Sequence, residues 1–151
     1  MTVESVGTAE HTLHRPRFAA LYVQVQQFYA HRMQILDTHD TGRLADTYTE
    51  DAVLEPPSPA APVRAGAGLT TTCAPARNAG AGSRLHHWVG MLDVQPQPDG
   101  SLHTSCSALA YVTPSAGGPK VLHVCVMQDV LVRCRGRWRT AHRRVTRDDL
   151  A

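Results

Sequence analysis

Val121-Leu122-His123-Val124-Cys125-Val126-Met127-Gln128-Asp129-Val130-Leu131-Val132-Arg133 is a run free of glycine and proline and dense in β-branched side chains. Such a run reads as a strand. Runs of the same kind lie at residues 84–95, 101–113 and 137–146. Between them stand turn signals: Pro96 with Asp99-Gly100, Pro114 with Gly117-Gly118, and Arg135-Gly136. Four long strands with short connections predict an antiparallel meander. Upstream the period changes. Phe18, Leu21, Tyr22, Val25, Phe28, Tyr29, Met33 and Leu36 recur at spacings of three and four, which predicts a helix over 17–37. A second short helix fits 43–48, and a first short strand fits 52–55. Pro56, Pro57, Pro59 and Pro62 make a stiff loop, and 69–78 is a poor helix at best because of Pro75. Helices first and a meander after them indicate an α+β fold, a curved and mainly antiparallel sheet burying one face against the N-terminal helices.

A length of 151 residues favours one domain and suffices to bury a real core. Residues 1–16 read as a flexible lead-in, 17–147 as the domain and 148–151 as a tail. With 42% apolar and 19% charged residues, the composition argues against disorder of the whole chain. A net charge of +2 is too small to indicate a nucleic-acid partner. The arginines at 133, 135, 137, 139, 143, 144 and 147 read as the outward positions of a solvated strand pair, with an anion-binding face as the alternative. Cys73, Cys106, Cys125 and Cys134 have no paired spacing, and no secretory leader is expected ahead of them. They read as free thiols in a reducing cytoplasm. No stretch is apolar enough for a membrane span. The nine histidines include no HxxxH, and no CxxC occurs, so no metal site is expected. Neither a phosphate loop nor a dinucleotide fingerprint is present, so no cofactor is expected.

Certain residues carry chemistry on an otherwise ordinary pattern. Tyr22, Gln26, Tyr29, Met33 and Asp37 share one helical stripe that ends in a carboxylate. Asp37 either caps the following turn or stands at the floor of a pocket. On the first long strand, His86 and His87 face opposite sides. If His86 and Trp88 share the outer face, His87 points inward with Val89 and Met91. Histidine exchanges a proton near neutral pH, and a carboxylate on one ring nitrogen would fix its tautomer. The face His123, Cys125, Met127 and Asp129 is either a cavity lining or a packed interior. The inward face of the 101–113 strand, with His103 on one side and Thr104 on the other, is left open by the pattern.

Gln34-Ile35-Leu36-Asp37-Thr38-His39-Asp40, Tyr48-Thr49-Glu50-Asp51-Ala52-Val53, Arg84-Leu85-His86-His87-Trp88-Val89-Gly90 and Gly136-Arg137-Trp138, in this order, resemble the SnoaL-like branch of the nuclear transport factor 2-like superfamily. The resemblance covers about residues 17–147. It implies a cone-shaped pocket and a small cytoplasmic protein of actinomycete aromatic-polyketide pathways, a dehydratase or cyclase working without cofactor. The chain is also similar to scytalone dehydratase. Asp37 and His87 fall on that enzyme's pocket aspartate and histidine. His103 is nearest to its second histidine, and Glu55 stands near its pocket tyrosine. The resemblance thus implies Asp37 and His87 as catalytic pair. Tyr22, Gln26, Tyr29, Met33, Glu55, Trp88, His103, His123, Cys125 and Met127 are expected around an aromatic polyketide. It further implies a homodimer through the outer sheet face. A polyketide cyclase or isomerase, a non-catalytic polyketide-binding protein and an accessory subunit are the alternatives on the same fold.

Overall fold

A computed structural model of the chain describes residues 8–58, 60–64 and 82–150. The poor helix expected at 69–78, and Cys73 with it, lie outside the described residues. Helix α1 spans Thr8–Asp37. It starts upstream of Arg17, so part of the expected flexible lead-in is helical, and it runs through Pro16. Its stripe Val25, Tyr29, Arg32, Met33 and Leu36 is buried, as spacings of three and four require of a helix lying on a sheet. The helix stops at His39, whose φ of 58° is left-handed and turns the chain away. Thr38 and His39 donate their backbone N–H groups back to the last free carbonyls. Asp40, not Asp37, then caps α2 (Thr41–Ala45), its Oδ1 accepting from the Arg43 N–H at 3.1 Å.

Six strands follow: β1 (Tyr48–Glu55), β2 (Val63–Arg64), β3 (Arg84–Pro96), β4 (Leu102–Thr113), β5 (Lys120–Cys134) and β6 (Arg137–Arg147). A 3-10 turn, Asp148–Leu150, ends the described chain. The four long strands form the expected antiparallel meander, but the sheet order is β2-β1-β6-β5-β4-β3. The first strand therefore closes on the last one, in parallel, and among the described residues β3 is an edge strand. The pair β1–β2 forms despite the proline loop, because the four prolines all lie between the two strands.

The inner face is read from burial. On β4 it is Leu102, Thr104, Cys106, Ala108 and Ala110, and on β5 it is Cys125, Met127, Asp129 and Leu131. A register shift in β3 between Gly90 and Asp93 inserts one extra residue there, with Met91 at φ 53°. Leu85, His87 and Val89 face inward before the shift, Leu92 and Val94 after it. Met91, expected to point inward with His87, is thrown outward and is 84% exposed.

Among the described residues, three charged side chains lie inside this core. Arg143 forks onto Asp129 with contacts of 2.8 and 2.6 Å. Tyr29 donates its hydroxyl to Asp129 at 2.6 Å. Arg32 stands 3.6 Å from the same carboxylate, is hydrogen-bonded to Thr47 and Thr140, and packs its guanidinium over Phe28 and Tyr48. Burial alone would raise the Asp129 carboxyl, but the two guanidiniums and Tyr29 outweigh it and hold it below the ordinary value. Arg143 therefore does not belong to the solvated arginine row expected from the sequence.

Candidate active site

Asp37 comes to β3 because α1 crosses the inner sheet face and ends beside that edge strand. Asp37 Oδ1 lies 2.7 Å from His87 Nδ1 and accepts the His87 backbone N–H at 3.1 Å. That N–H is available because, among the described residues, no strand pairs with β3 on this side. An ionised carboxylate only accepts, so beside a neutral imidazole it selects the tautomer with the proton on Nδ1 and the lone pair on Nε2. The pair is partly buried, with 19% of the His87 side chain and 18% of the Asp37 side chain exposed.

Both residues line a cavity of about 910 Å3 between α1 and β3. Of the residues expected around a ligand, Tyr22, Gln26, Tyr29, Met33 and Trp88 line it as well. Tyr22 bridges helix to strand at the far end, donating to the Leu92 carbonyl at 3.0 Å. Trp88 is 54% exposed and its ring overlies Gly90. A Cβ at Gly90 would stand only 2.5 Å from the far end of that ring. Tyr29 touches the cavity with its ring but commits its hydroxyl to Asp129 and Thr104. Gln27, Gln34 and Met91 also line the cavity. The helix pattern passes over the two glutamines because solvent-facing positions carry no periodic signal.

Five expected lining residues, Glu55, His103, His123, Cys125 and Met127, are not among those that line it. His103 is on the outer sheet face, because Thr104 and Cys106 take the inner one. It lines a separate cavity of about 340 Å3 with His142 and Arg144. Glu55 is at the end of β1, pairing with His142 at 2.8 Å and Arg144 at 3.2 Å. Cys125 and Met127 do face inward, but as packed core, each 6% exposed. Burial raises the Cys125 thiol, and it raises Cys106 to about 12, so neither is a nucleophile at neutral pH.

His123 is on the inner face and is partly exposed. His87 pairs with Ala110 across β3–β4, and Ala110 pairs with His123 across β4–β5. The two imidazoles thus flank one small side chain, two strand spacings apart, about 10 Å between backbones. Burial first, then the nearby Arg147 and His87, lower the His123 pKa and favour its neutral ring. Among the described residues, no group of three or more His, Cys, Asp or Glu side chains could hold a metal ion, and no helix is long and apolar enough to cross a membrane.

A family model described as a SnoaL-like domain matches residues 17–144. The structure of Aln2 from a Streptomyces species is 33% identical, with a TM-score of 0.79 over 87% of this chain and 93% of that one. ActVI-ORFA from Streptomyces coelicolor is 28% identical, with a TM-score of 0.77 over 86% of this chain and 98% of that one. A protein from Catenulispora acidiphila in complex with S-DNPA is 30% identical, with a TM-score of 0.74 over 87% of this chain and 96% of that one. A comparison with curated proteins gives no match.

Proposed function

The chain belongs to the SnoaL-like domain family and has the nuclear transport factor 2-like fold, and from that premise we propose that it is a cofactor-independent dehydratase, or a cyclase of the same chemistry, acting on an aromatic polyketide intermediate. The observation that carries this reading is the 2.7 Å contact between His87 Nδ1 and Asp37 Oδ1 at the wall of a 910 Å3 cavity. Its size suits a small polycyclic molecule, and the similar Catenulispora protein holds a small molecule, S-DNPA.

His87 Nε2 removes the acidic proton next to a substrate carbonyl. Asp37 holds the ring and offsets the charge it gains. The hydroxyl on the neighbouring carbon then leaves with the proton His87 returns, so the step balances as loss of one water. Cyclisation uses the same enolate with an intramolecular electrophile in place of the leaving hydroxyl. Apolar walls at Met33, Val89 and Leu92 limit competing water.

The test is single-turnover conversion of a hydroxylated polyketide intermediate by the purified protein. His87→Ala should lose about 10²–10⁴-fold in rate, the usual contribution of a positioned proton-transfer group, with an unchanged circular dichroism spectrum. Asp37→Asn should lose a similar factor. A folded His87→Ala protein with full activity removes the proton-transfer reading. Tight binding without turnover by the wild type favours the non-catalytic carrier.

A further inference from the structure

Consecutive residues of a strand point to opposite faces and cannot both reach a group lying on one face. His86 and His87 nevertheless meet the same carboxylate. His87 Nδ1 lies 2.7 Å from Asp37 Oδ1, and His86 Nδ1 lies 3.5 Å from Asp37 Oδ2. This is possible because β3 is an edge strand and Asp37 sits off that edge, receiving the His87 backbone N–H. One oxygen then faces the inner imidazole and the other faces the outer one. The outer imidazole is itself held, stacked on Tyr111 of β4 with ring centroids 5.5 Å apart and planes inclined by 27°. Its side chain is 49% exposed, and it does not line the 910 Å3 cavity.

We infer that His86 is a positioning residue for the Asp37–His87 pair: from the outer face of β3 its ring nitrogen, in polar contact with the second oxygen of Asp37 at 3.5 Å, biases the carboxylate so that the first oxygen stays on His87 Nδ1 and Nε2 stays free. The inference rests on the reading of His87 as the proton-transfer group. A carboxylate held at one oxygen only can swing about its terminal torsion, which is broad and roughly two-fold. Each swing releases the His87 ring to the other tautomer or to another rotamer, and the wrong tautomer presents no base to the substrate. With Oδ2 engaged by His86, both oxygens have a partner on the same strand, one on each side. The doublet His86-His87 is therefore a single device split across the two faces of the sheet edge, with the stack on Tyr111 fixing the outer half.

Two variants separate the nitrogen from the ring. His86→Phe keeps an aromatic plane against Tyr111 and removes the donor. His86→Asn discards the ring but places an amide nitrogen near the position of Nδ1. With ¹⁵N-labelled histidine, ligand-free wild type should show His87 held as the Nδ1–H tautomer. His86→Phe should show a mixture, with kcat lower by about two- to fivefold, the worth of one half-exposed polar contact, and KM unchanged because His86 does not line the cavity. His86→Asn should restore both the tautomer and kcat. A His86→Phe protein with the wild-type tautomer overturns the inference, as does a His86→Asn protein no better than His86→Phe. The tautomer is read without substrate, so a wild type that proves unable to turn over would overturn the proposed function while leaving this measurement to decide the role of His86.

Discussion

At the scale of single residues, the site is set by which atom of each group is already engaged. Asp37 does not cap the next helix, because Asp40 does, and its carboxylate is left for His87. His123 is the residue where pH enters. Its folded-state pKa is lowered by burial first and then by the nearby Arg147 and His87. In the unfolded chain it takes up a proton near its ordinary value of about 6.5, while the folded chain resists. Stability contributed by a neutral His123 is therefore present above about pH 6.5 and lost as pH falls from there to the folded-state pKa. His123→Gln should abolish this component. Urea midpoints of wild type and variant, compared between about pH 7.5 and about pH 5, a window that brackets the ordinary value, should converge or cross as pH falls. A difference that stays flat across this range contradicts the assignment.

At the scale of elements, β3 does most to shape the cavity. Its extra residue between Gly90 and Asp93 reverses the alternation, so that His87 and Val89 face inward before it and Leu92 and Val94 after it. A sequence pattern of period two passes straight through such a shift, which is why it predicts Met91 on the inner face. Gly90 is the position that lets the Trp88 ring fold along the strand. In Gly90→Ala the new methyl meets the far end of that ring, which is half-exposed and free to move. The expected outcome is a stability change within about 0.5 kcal/mol, the usual range for a surface substitution. It should come with a shifted Trp88 emission and a raised KM, since the displaced ring forms part of the cavity wall. Loss of several kcal/mol in thermal unfolding would mean that the ring is locked in place.

At the scale of the molecule, Arg32, Asp129 and Arg143 tie α1 to β5 and β6 through the centre of the core. Arg143→Met leaves Asp129 buried with its two-pronged partner gone, which should cost about 3–5 kcal/mol in urea unfolding. Replacing Asp129 and Arg143 together by apolar residues should cost at least as much as the single change, because buried Arg32 then loses the carboxylate 3.6 Å from it and no counter-charge remains in the core. A single variant as stable as wild type would show that Arg32 and Tyr29 satisfy Asp129 unaided. The α+β class, the four long strands and the helix stripe ending in Asp37 were legible from the chain, because periodicity and turn chemistry are local. So were the residue types of the pair, since a carboxylate closing an apolar stripe and a histidine doublet opening a strand are visible in one dimension. The parallel closure of β1 on β6, the outward face of His103, the removal of Glu55 to Arg144 and His142, the burial of Arg32 and Arg143, and the sharing of Asp37 by both histidines were decided only by the tertiary structure. Each depends on register, on a one-residue shift or on which strand is left at the edge, and those are settled by contacts between residues far apart in the chain.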